Sequence, residues 1–324
     1  MESLSIFEER SKLKVDIETN LGKIYESLDD PENQKATLTM YLGDSVKIIK
    51  KIKIQVRGNT RKELCDVPPF KIDLDKSDFL EEWFGKVTSL KIVTTCAGSI
   101  KYETYLHNEY LMYEIYRTIS DFSYRVRLIE LTLKDSKNIR EDISGYAFFI
   151  ENDKSVSART EMTEIELRDT NVSNLMNAFY VNPNEQSLYH MTLLSLYQYM
   201  MGNTDWNVGG LHNLKAFTDL QAYYAIPYDF DYAGFVNADY ALPGKSVPIK
   251  NVRERYYQGP NCDPATFEKA LDLIVSKELL IDGIIDHYPY LELSDKNDLK
   301  RYLNEFFKEA SKRENFFEKI SSLN

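Results

Sequence analysis

The sequence contains no apolar run long enough to cross a membrane, and it has few cysteines and histidines. No segment approaches the roughly 20 apolar residues that a transmembrane helix requires. The 3 cysteines follow no zinc-ligand spacing, and the 4 histidines form no metal-binding motif. The sequence therefore predicts no membrane span, no zinc centre and no disulfide-rich scaffold.

The chain also has fewer basic residues than acidic residues. The chain has 40 lysine and arginine residues against 51 aspartate and glutamate residues, a formal net charge of -11. An acidic protein repels a phosphate backbone, so nucleic acid is not an expected partner, although a local basic pocket is compatible with this balance. No apolar signal core is visible at the amino terminus, but a trimmed chain would look the same, so the compartment stays open.

Cys65 and Cys96 lie on neighbouring predicted elements, which leaves two interpretations. A disulfide would join these elements, whereas two buried thiols would only fill the core. Because the chain has so few cysteines, the sequence favours buried thiols.

Several well-known catalytic motifs are missing as well. The chain has no Gly-x-Ser-x-Gly nucleophile elbow, no Walker phosphate loop and no His-Glu-x-x-His zinc motif. Internal repeats and low-complexity linkers are also absent from the sequence. These absences argue against the common serine hydrolases, P-loop nucleotidases, zinc proteases and repeat proteins.

The first half of the chain is predicted to be rich in strands. Strict alternation of apolar and polar residues over 51–57 is typical of a half-buried strand. Further strands and one helix are predicted at 70–74, 90–93, 102–119 (the helix), 123–133 and 145–151. The helix carries an apolar stripe, which indicates packing against a core.

The second half is predicted to be helical, with one inserted hairpin. An apolar helix over 190–201 ends at Gly202, a typical carboxyl-terminal cap. Strands at 211–217 and 222–228 form the hairpin, and the tail from 264 to 324 holds at least three amphipathic helices.

This order of elements predicts an α+β fold with two lobes. A strand-rich lobe would cover residues 1–151, and a helical lobe would cover residues 152–324. Proteins with an atypical protein-kinase-like fold are built in this order. Other α+β folds share it, so the order alone does not decide the function.

Two groups of acidic residues flank the predicted hairpin. Asp205 lies in Gly-Asn-Thr-Asp-Trp after the apolar helix, and Asp229 and Asp231 lie in Pro-Tyr-Asp-Phe-Asp after the second strand. Because paired strands bring their outer ends together, Asp205 and Asp229 are expected to converge on one side of the hairpin. Phosphoryl transfer needs such a pair: one carboxylate orients the attacking hydroxyl, and another holds Mg²⁺ against the phosphates.

Oxygen ligands suited to Mg²⁺ are available near this point. Asp229, together with Asn213 or Asp231, is a reasonable ligand set. Each acidic residue taken alone is more typical of a turn, in which a carboxylate accepts from its own backbone. The combination of both motifs with His212-Asn213 at the start of a strand favours a functional site instead.

These motifs resemble the catalytic region of the spore-coat CotH-type atypical kinases. The likeness lies in segments 202–206 and 226–231, and Arg57-Gly58-Asn59-Thr60 is similar to the Arg-Gly-Asn-Ser loop of that family. The resemblance implies a two-lobed, ATP-dependent protein kinase, with a nucleotide-binding lobe at residues 1–151 and a catalytic lobe at residues 152–324. It also implies Asp205 as the catalytic aspartate and Asp229 as the metal-binding aspartate. Over about residues 36–260 the chain also resembles proteins of Bacteroidetes-type bacteria, and this second likeness implies no activity.

The chain departs from the usual kinase-like pattern in its catalytic loop. Such loops place an asparagine five residues after the catalytic aspartate, where this chain has Gly210. Asn207 and Asn213 are the two available substitutes, and neither has the expected offset.

The candidate phosphate-binding loop departs as well, because it has one glycine rather than three. Gly58 and Asn59 would supply backbone contacts to a phosphate. Arg57 and Arg61 would add the positive charge that the shortened loop lacks, as bidentate phosphate ligands.

A bound nucleotide also needs a lysine braced by a glutamate. Lys91, just before the predicted helix, is one candidate, with Glu109 or Glu114 on that helix as its partner. Lys71 is the competing candidate, and the CotH-type motif favours it. Glu151, where the two lobes would join, would contact a base or ribose or simply be a strand-end charge.

The function that the sequence supports best is an ATP- and Mg²⁺-dependent phosphotransferase acting on a hydroxyl group. Its expected partners are a nucleotide and a protein or small-molecule acceptor. Two alternatives stay open: a kinase-like binding module without turnover, and a metal-dependent hydrolase that uses the same acids. Arg253 and Arg255 would contact a substrate phosphate or form structural ion pairs.

Overall fold

The chain forms two compact units. One contains residues 1–106 and 125–155, and the other contains residues 107–124 and 156–324. The computed structural model describes residues 6–8, 11–26, 28–29, 32–42, 46–58, 61, 65–74, 88–168, 170–244 and 247–323. Two helices, Ile100–Ile119 (α2) and Asp153–Thr160 (α3), begin in the first unit and end in the second.

Seven strands of the first unit close into a barrel. They are Leu13–Thr19 (β1), Gln34–Leu42 (β2), Val46–Val56 (β3), Phe70–Leu74 (β4), Ser89–Thr94 (β5), Val126–Asp135 (β6) and Ile143–Ile150 (β7). The order around the barrel is β1-β2-β3-β4-β5-β7-β6. A parallel pairing of β6 with β1 completes the ring, and a short helix, Leu21–Glu26 (α1), follows β1.

The alternation of side chains along the strands explains how the barrel is filled. In β2, residues 36, 38 and 40 are buried and their neighbours are more exposed, which is the period of two expected for a strand with one face in a core. The interior is packed with branched aliphatic side chains that are 0% exposed, among them Val15, Ile17, Leu38, Ile54, Ile72 and Ile92.

A disulfide between Cys65 and Cys96 ties the segment before β4 to the end of β5. Beside it, the Arg61 guanidinium donates to the Thr94 carbonyl at 2.6 Å, and the Val67 N–H donates to the Cys96 carbonyl at 3.4 Å. The expectation of two buried thiols was therefore wrong. These contacts hold the two Cα atoms 4.4 Å apart, within reach of a disulfide.

The second unit is mainly helical and contains a small sheet. Its elements after α3 are Thr163–Ile165 (β8), Val172–Met176 (α4), a π-helical turn at Asn177–Val181, Glu185–Met201 (α5), Leu214–Thr218 (β9), Tyr223–Pro227 (β10), Pro264–Ser276 (α6), Glu278–Asp286 (α7), Leu293–Ala310 (α8) and Arg313–Ser321 (α9). Helix α5 is buried on every side over residues 191–201, as expected for a helix in the middle of a core. None of the described helices is both long and apolar enough to span a membrane.

Strands β9 and β10 form the predicted hairpin, and β8 adds to its β9 edge. Pairing of Thr218 with Tyr223 marks the closed end, and pairing of Leu214 with Pro227 marks the open end. The predicted hairpin is confirmed. It places Asn213, just before β9, next to the segment that follows β10.

The predicted α+β composition is confirmed, and so are at least three helices in the tail. The closed barrel was not indicated by the strand pattern. Residues 107–124 had been placed in the lobe 1–151, yet they belong to the second unit. The reason is their contacts: Tyr197 Oη donates to the Met112 carbonyl at 2.7 Å, and His107 Nδ1 lies 2.7 Å from Tyr288 Oη.

Replacing both Cys65 and Cys96 with serine is expected to lower the free energy of unfolding by about 3–4 kcal/mol, because the disulfide spans 31 residues of the unfolded chain. Urea unfolding followed by circular dichroism measures the change. Cys262→Ser makes the same substitution at a free thiol and is expected to cost no more than about 0.5 kcal/mol. Equal unfolding midpoints for the double variant and the oxidised wild type would contradict the prediction.

Candidate functional site

The loop after helix α5 fixes the backbone of Asp205. Gly202 ends the helix in the left-handed conformation, with a φ of 62°. Asn203 then spans the turn: its Oδ1 accepts from the Asp205 N–H at 3.0 Å, and its Nδ2 donates to Gln198 Oε1 at 3.0 Å. The buried Trp206 indole donates to the Asn203 carbonyl at 3.2 Å. The Gly-Asn-Thr-Asp-Trp motif is therefore a turn closed by its own side chains.

The side chain of Asp205 is held by two consecutive residues before β9. Asn213 Nδ2 donates to the Asp205 carbonyl at 2.8 Å and to its Oδ2 at 3.0 Å. His212 Nε2 lies 2.9 Å from the other carboxylate oxygen, Oδ1. Asn213 is buried, whereas the Asp205 side chain is 30% exposed. The carboxylate is thus oriented from inside and still open to solvent.

The segment between Asp205 and Asn213 explains their unusual spacing. The backbones of Asn207 and His212 exchange hydrogen bonds of 3.1 Å and 3.0 Å, so the residues between them form a closed loop. Inside that loop, Asn207 Oδ1 accepts from the Gly210 N–H at 2.7 Å. Of the two asparagines that the sequence left open, Asn207 builds the loop and Asn213 contacts Asp205.

Asp229 follows β10 in a backbone conformation that is unusual for a residue with a side chain. Its φ is 61°, in the left-handed region. The Asp229 N–H donates to Tyr113 Oη at 2.8 Å, and the fully buried Phe230 packs edge-on against the Tyr113 ring at 4.7 Å between centroids. Within the part of the chain that the structure describes, no hydrogen bond or ion pair reaches the half-buried Asp229 carboxylate.

One residue connects the two acidic segments. Asn213 holds Asp205 through its side chain, and its backbone carbonyl accepts from the Tyr228 N–H at 3.1 Å. Tyr228 directly precedes Asp229. Asp205 and Asp229 therefore lie on one hydrogen-bonded framework at the open end of the hairpin.

A second connection joins the loop after α5 to the turn after Asp231. The Gly234 N–H donates to the Gly202 carbonyl at 3.0 Å. Neither glycine has room for a side chain: a Cβ at Gly202 would lie 2.0 Å from Tyr302 Oη, and a Cβ at Gly234 would lie 2.2 Å from the Val252 carbonyl oxygen. Only glycine allows this close approach of backbones.

Arg253 and Arg255 support this second connection. Their guanidinium carbons lie 4.2 Å and 3.9 Å from the centroid of the Tyr302 ring. Arg253 donates to the Gly234 carbonyl at 3.2 Å, and Arg255 donates to the Met200 carbonyl at 3.1 Å. Burial raises the pKa of Tyr302 to about 12, so the ring between the two cations stays neutral. The sequence left two roles open for these arginines, contact with a substrate phosphate and structural ion pairs. The contacts described here are structural.

The oxygen atoms around Asp229 have a composition suited to a magnesium ion. Asp229 offers an uncommitted carboxylate, and Asn213 keeps its Oδ1 because Nδ2 is the atom that contacts Asp205. Asp231 is buried, and its Oδ2 accepts from Tyr240 Oη at 3.3 Å. The described residues contain no group of three or more His, Cys, Asp or Glu side chains that would bind a metal alone. Magnesium sites that also use phosphates and water need only one or two carboxylates.

The candidate phosphate-binding residues lie in the first unit, after β3. Gly58 is exposed and has a φ of 88°, and Arg57 is half-buried. The Arg61 guanidinium uses one donor on the Thr94 carbonyl. Asn59 lies outside the described residues. Phosphate binding by these residues stays a prediction.

The two candidate lysines are direct neighbours on the barrel. Lys71 on β4 pairs with Lys91 on β5, so both side chains point to the same face. Lys71 forms an ion pair with Asp73 at 3.0 Å and is 43% exposed, whereas Lys91 is half-buried. The choice between them for nucleotide binding stays open.

The three candidate glutamates, Glu109, Glu114 and Glu151, are all buried. Glu151 accepts from the Arg125 N–H at 3.1 Å and from the Ser155 hydroxyl at 2.9 Å, at the start of α3. Glu114 lies on α2, in the second unit, with its carboxylate 3.9 Å from Arg117. The contacts of Glu151 are those of a strand-end and helix-start carboxylate, and its contact with a base or ribose stays a prediction, as does the pairing of Glu114 with a lysine.

Sequence reasoning missed three residues of the site. Asn203 had a recognisable signal, because an asparagine two residues before another polar residue often closes a turn. Tyr113 had none, since it lies 116 residues from Asp229 in the chain. Gly234 was visible only as a glycine after the second motif, with no sign of what approaches it.

Comparisons with known proteins do not identify a family. No protein-family model matches the sequence, and no curated protein is significantly similar to it. Among solved structures, the chain is similar to the crystal structure of the Helicobacter pylori proinflammatory kinase CtkA, at 11% identity and a TM-score of 0.43, over 89% of this chain and 91% of that chain. At this TM-score the likeness does not establish a shared fold, and the function must be argued from the site itself.

Gly234→Ala is expected to destabilise the protein by roughly 1–3 kcal/mol, because the new methyl group must displace the Val252 carbonyl and the Tyr302 hydroxyl. Urea unfolding measures the loss. Gly283→Ala, in helix α7, is the matched control, since nothing lies within 4 Å of its Cβ position. There the substitution is expected to be neutral or to stabilise by up to about 1 kcal/mol. A similar loss in both variants would show that the close approach at Gly234 is not the cause.

Proposed function

We propose that this protein is a Mg²⁺-dependent phosphotransferase that moves the terminal phosphoryl group of ATP to a hydroxyl acceptor. Asp205 is the catalytic aspartate, and Asp229 is the metal-binding aspartate. The observation that carries the proposal is the contact of Asn213 with Asp205 beside the uncommitted carboxylate of Asp229. In this proposal the chain is an atypical kinase-like protein, and Arg57, Gly58 and Arg61 contribute nucleotide contacts.

Asp205 is suited to orient an acceptor hydroxyl. One contact to each carboxylate oxygen, from Asn213 and from His212, fixes the plane of the group. A carboxylate accepts about four hydrogen bonds, so each oxygen keeps capacity for an acceptor O–H. The hydroxyl that donates to Asp205 is held for attack on the terminal phosphorus of ATP. Its proton passes to the carboxylate as the new P–O bond forms, while the bond from that phosphorus to the bridging oxygen breaks and ADP leaves.

Asp229 is suited to hold the metal ion. Bound Mg²⁺ would neutralise charge on the phosphates during transfer. Asp229 and the Asn213 Oδ1 atom would be its protein ligands, and Asp231 is less available because it contacts Tyr240. Tyr113 and Phe230 fix the backbone of Asp229 before any ligand arrives, which lowers the entropy lost on binding.

A transfer assay tests this proposal. The purified protein is incubated with Mg²⁺, ATP labelled on the terminal phosphate, and casein as a generic acceptor. The wild type is expected to unfold at a higher temperature with Mg²⁺-ATP and to transfer label to itself or to casein. Asp229→Asn is expected to lose both effects, because it removes the metal-binding charge. Asp205→Asn is expected to keep the thermal shift and to lose transfer, because it removes only the group that accepts the proton.

Asp121→Asn is the control for these substitutions. Asp121 is exposed, and its carboxylate contacts none of the described residues. Nucleotide binding by the wild type without transfer would favour the binding module. Release of phosphate without any acceptor would favour the hydrolase. The absence of both binding and transfer would overturn the proposal.

The two asparagines of the catalytic loop allow a sharper comparison. Asn213→Ala is expected to lower the rate of transfer about a hundredfold or more, because it removes both the amide that positions Asp205 and one proposed metal ligand, and a misplacement of about 1 Å alone costs about a hundredfold. Asn207→Ala changes the same residue type in the closed loop, which leaves Asp205 in place, and is expected to keep most of the rate. Initial rates of label transfer at saturating ATP measure both. A larger loss of rate for Asn207→Ala than for Asn213→Ala would show that Asn213 is not the asparagine that positions Asp205 for transfer.

A further inference from the structure

A groove in the second unit has the size and chemistry of a ligand site, and it is not part of the site described above. It lies beside the closed end of the β9–β10 hairpin and encloses about 540 Å³, within the range of ligand pockets. Among the described residues that line it, none carries a charge. Their polar members are Thr170, Asn174, Asn177, Asn182, Asn184, Thr218 and Tyr223.

Three of the asparagine side chains in the groove are available to a ligand. Asn184 is used within the protein: it accepts from the Ser187 N–H at 2.8 Å and donates to a backbone carbonyl at 2.6 Å. No other described residue forms a hydrogen bond with the side-chain amides of Asn174, Asn177 and Asn182, and all three residues are exposed. Each amide offers two N–H donors and one carbonyl acceptor.

An uncommon backbone conformation separates two of these asparagines. Residues Asn177–Val181 form a π-helical turn, in which the Asn182 N–H donates to the Asn177 carbonyl at 2.8 Å. An α-helical turn would join Val181 to Asn177 instead. With the wider turn, both asparagines line the groove and Phe179 between them is fully buried. Such turns are rare and are frequently found at functional sites.

Tyr223 gives the groove an aromatic surface. It is 39% exposed at the start of β10, and its own backbone N–H is already donated to Ser187 Oγ at 2.9 Å. An aromatic face attracts the C–H groups of a sugar ring, and amides bind the hydroxyl groups around that ring. A peptide that added to the strand edge would need the N–H that Ser187 already uses. The described lining residues carry no charge, so they offer no oppositely charged partner to a phosphate or an ammonium group.

We propose that this groove binds a neutral oligosaccharide. Asn174, Asn177 and Asn182 donate to and accept from its hydroxyl groups, and the Tyr223 ring packs against one sugar. This proposal does not depend on the phosphotransferase activity, since none of these residues takes part in that reaction.

Isothermal titration of the full chain with maltopentaose, cellopentaose, chitopentaose and mannopentaose tests the proposal. At least one of these sugars is expected to bind the wild type. Asn177→Ala, Asn182→Ala and Tyr223→Ala are each expected to weaken that binding tenfold or more. Asn297→Ala, at an exposed position of helix α8 away from the groove, is expected to bind as the wild type does.

The other outcomes overturn the proposal. Failure of all four sugars to bind, or equal binding by the groove variants and Asn297→Ala, excludes a saccharide site here. Binding of a neutral Gly-Ser peptide in place of the sugars would assign the groove to a polypeptide. Asp205→Asn is expected to bind sugar normally, which separates this result from any failure of the phosphotransferase proposal. Thermal unfolding of each variant confirms that these exposed substitutions leave the fold intact.

Discussion

The hydrogen bonds that Asn213 donates to Asp205 are the constraint on which the candidate catalytic site depends. The same residue accepts from the Tyr228 N–H through its backbone carbonyl, so it connects the Asp205 loop to the segment that carries Asp229. Asn213 is buried, and removing its amide would remove both hydrogen bonds that hold Asp205. Water would then solvate the partly exposed Asp205 carboxylate without fixing its direction.

Two residues of the same site have left-handed backbone conformations. Asn213 and Asp229 have φ values of 51° and 61°, and each conformation is one that residues with a side chain rarely adopt. The surrounding structure offsets this cost through the Tyr113 hydroxyl and the buried Phe230 ring. Residues held this way commonly mark sites where a side chain must point in a fixed direction before its ligand binds. Here the residue so fixed is an acid with no partner among the described side chains.

Sequence patterns predicted the elements that depend on neighbouring residues, but not the features that depend on contacts between distant residues. The hairpin and the helix ending at Gly202 follow from periodicity and capping, so they could be predicted. The barrel closes through a parallel pairing of β1 with β6, and the Cys65–Cys96 disulfide depends on contacts made by Arg61 and Val67, so neither has a local signal. The choice of Asn213 over Asn207 likewise required the closed loop between them. That loop lets Asn213 contact Asp205 although the two residues are eight positions apart in the chain.

The two proposed sites share one structural logic and differ in the ligand that each would accept. Each site has an uncommon backbone conformation: a left-handed residue at Asp229, and a π-helical turn between Asn177 and Asn182. Each site also has polar side chains that form no hydrogen bond with the described residues. At Asp229 the group is a charged carboxylate, and an isolated charge is best compensated by a cation. In the groove the groups are neutral amides, which gain most from a ligand that both donates and accepts without charge. The second unit can therefore carry two sites that do not compete for the same ligand. A charged site selects a magnesium nucleotide, and an uncharged site selects a neutral sugar.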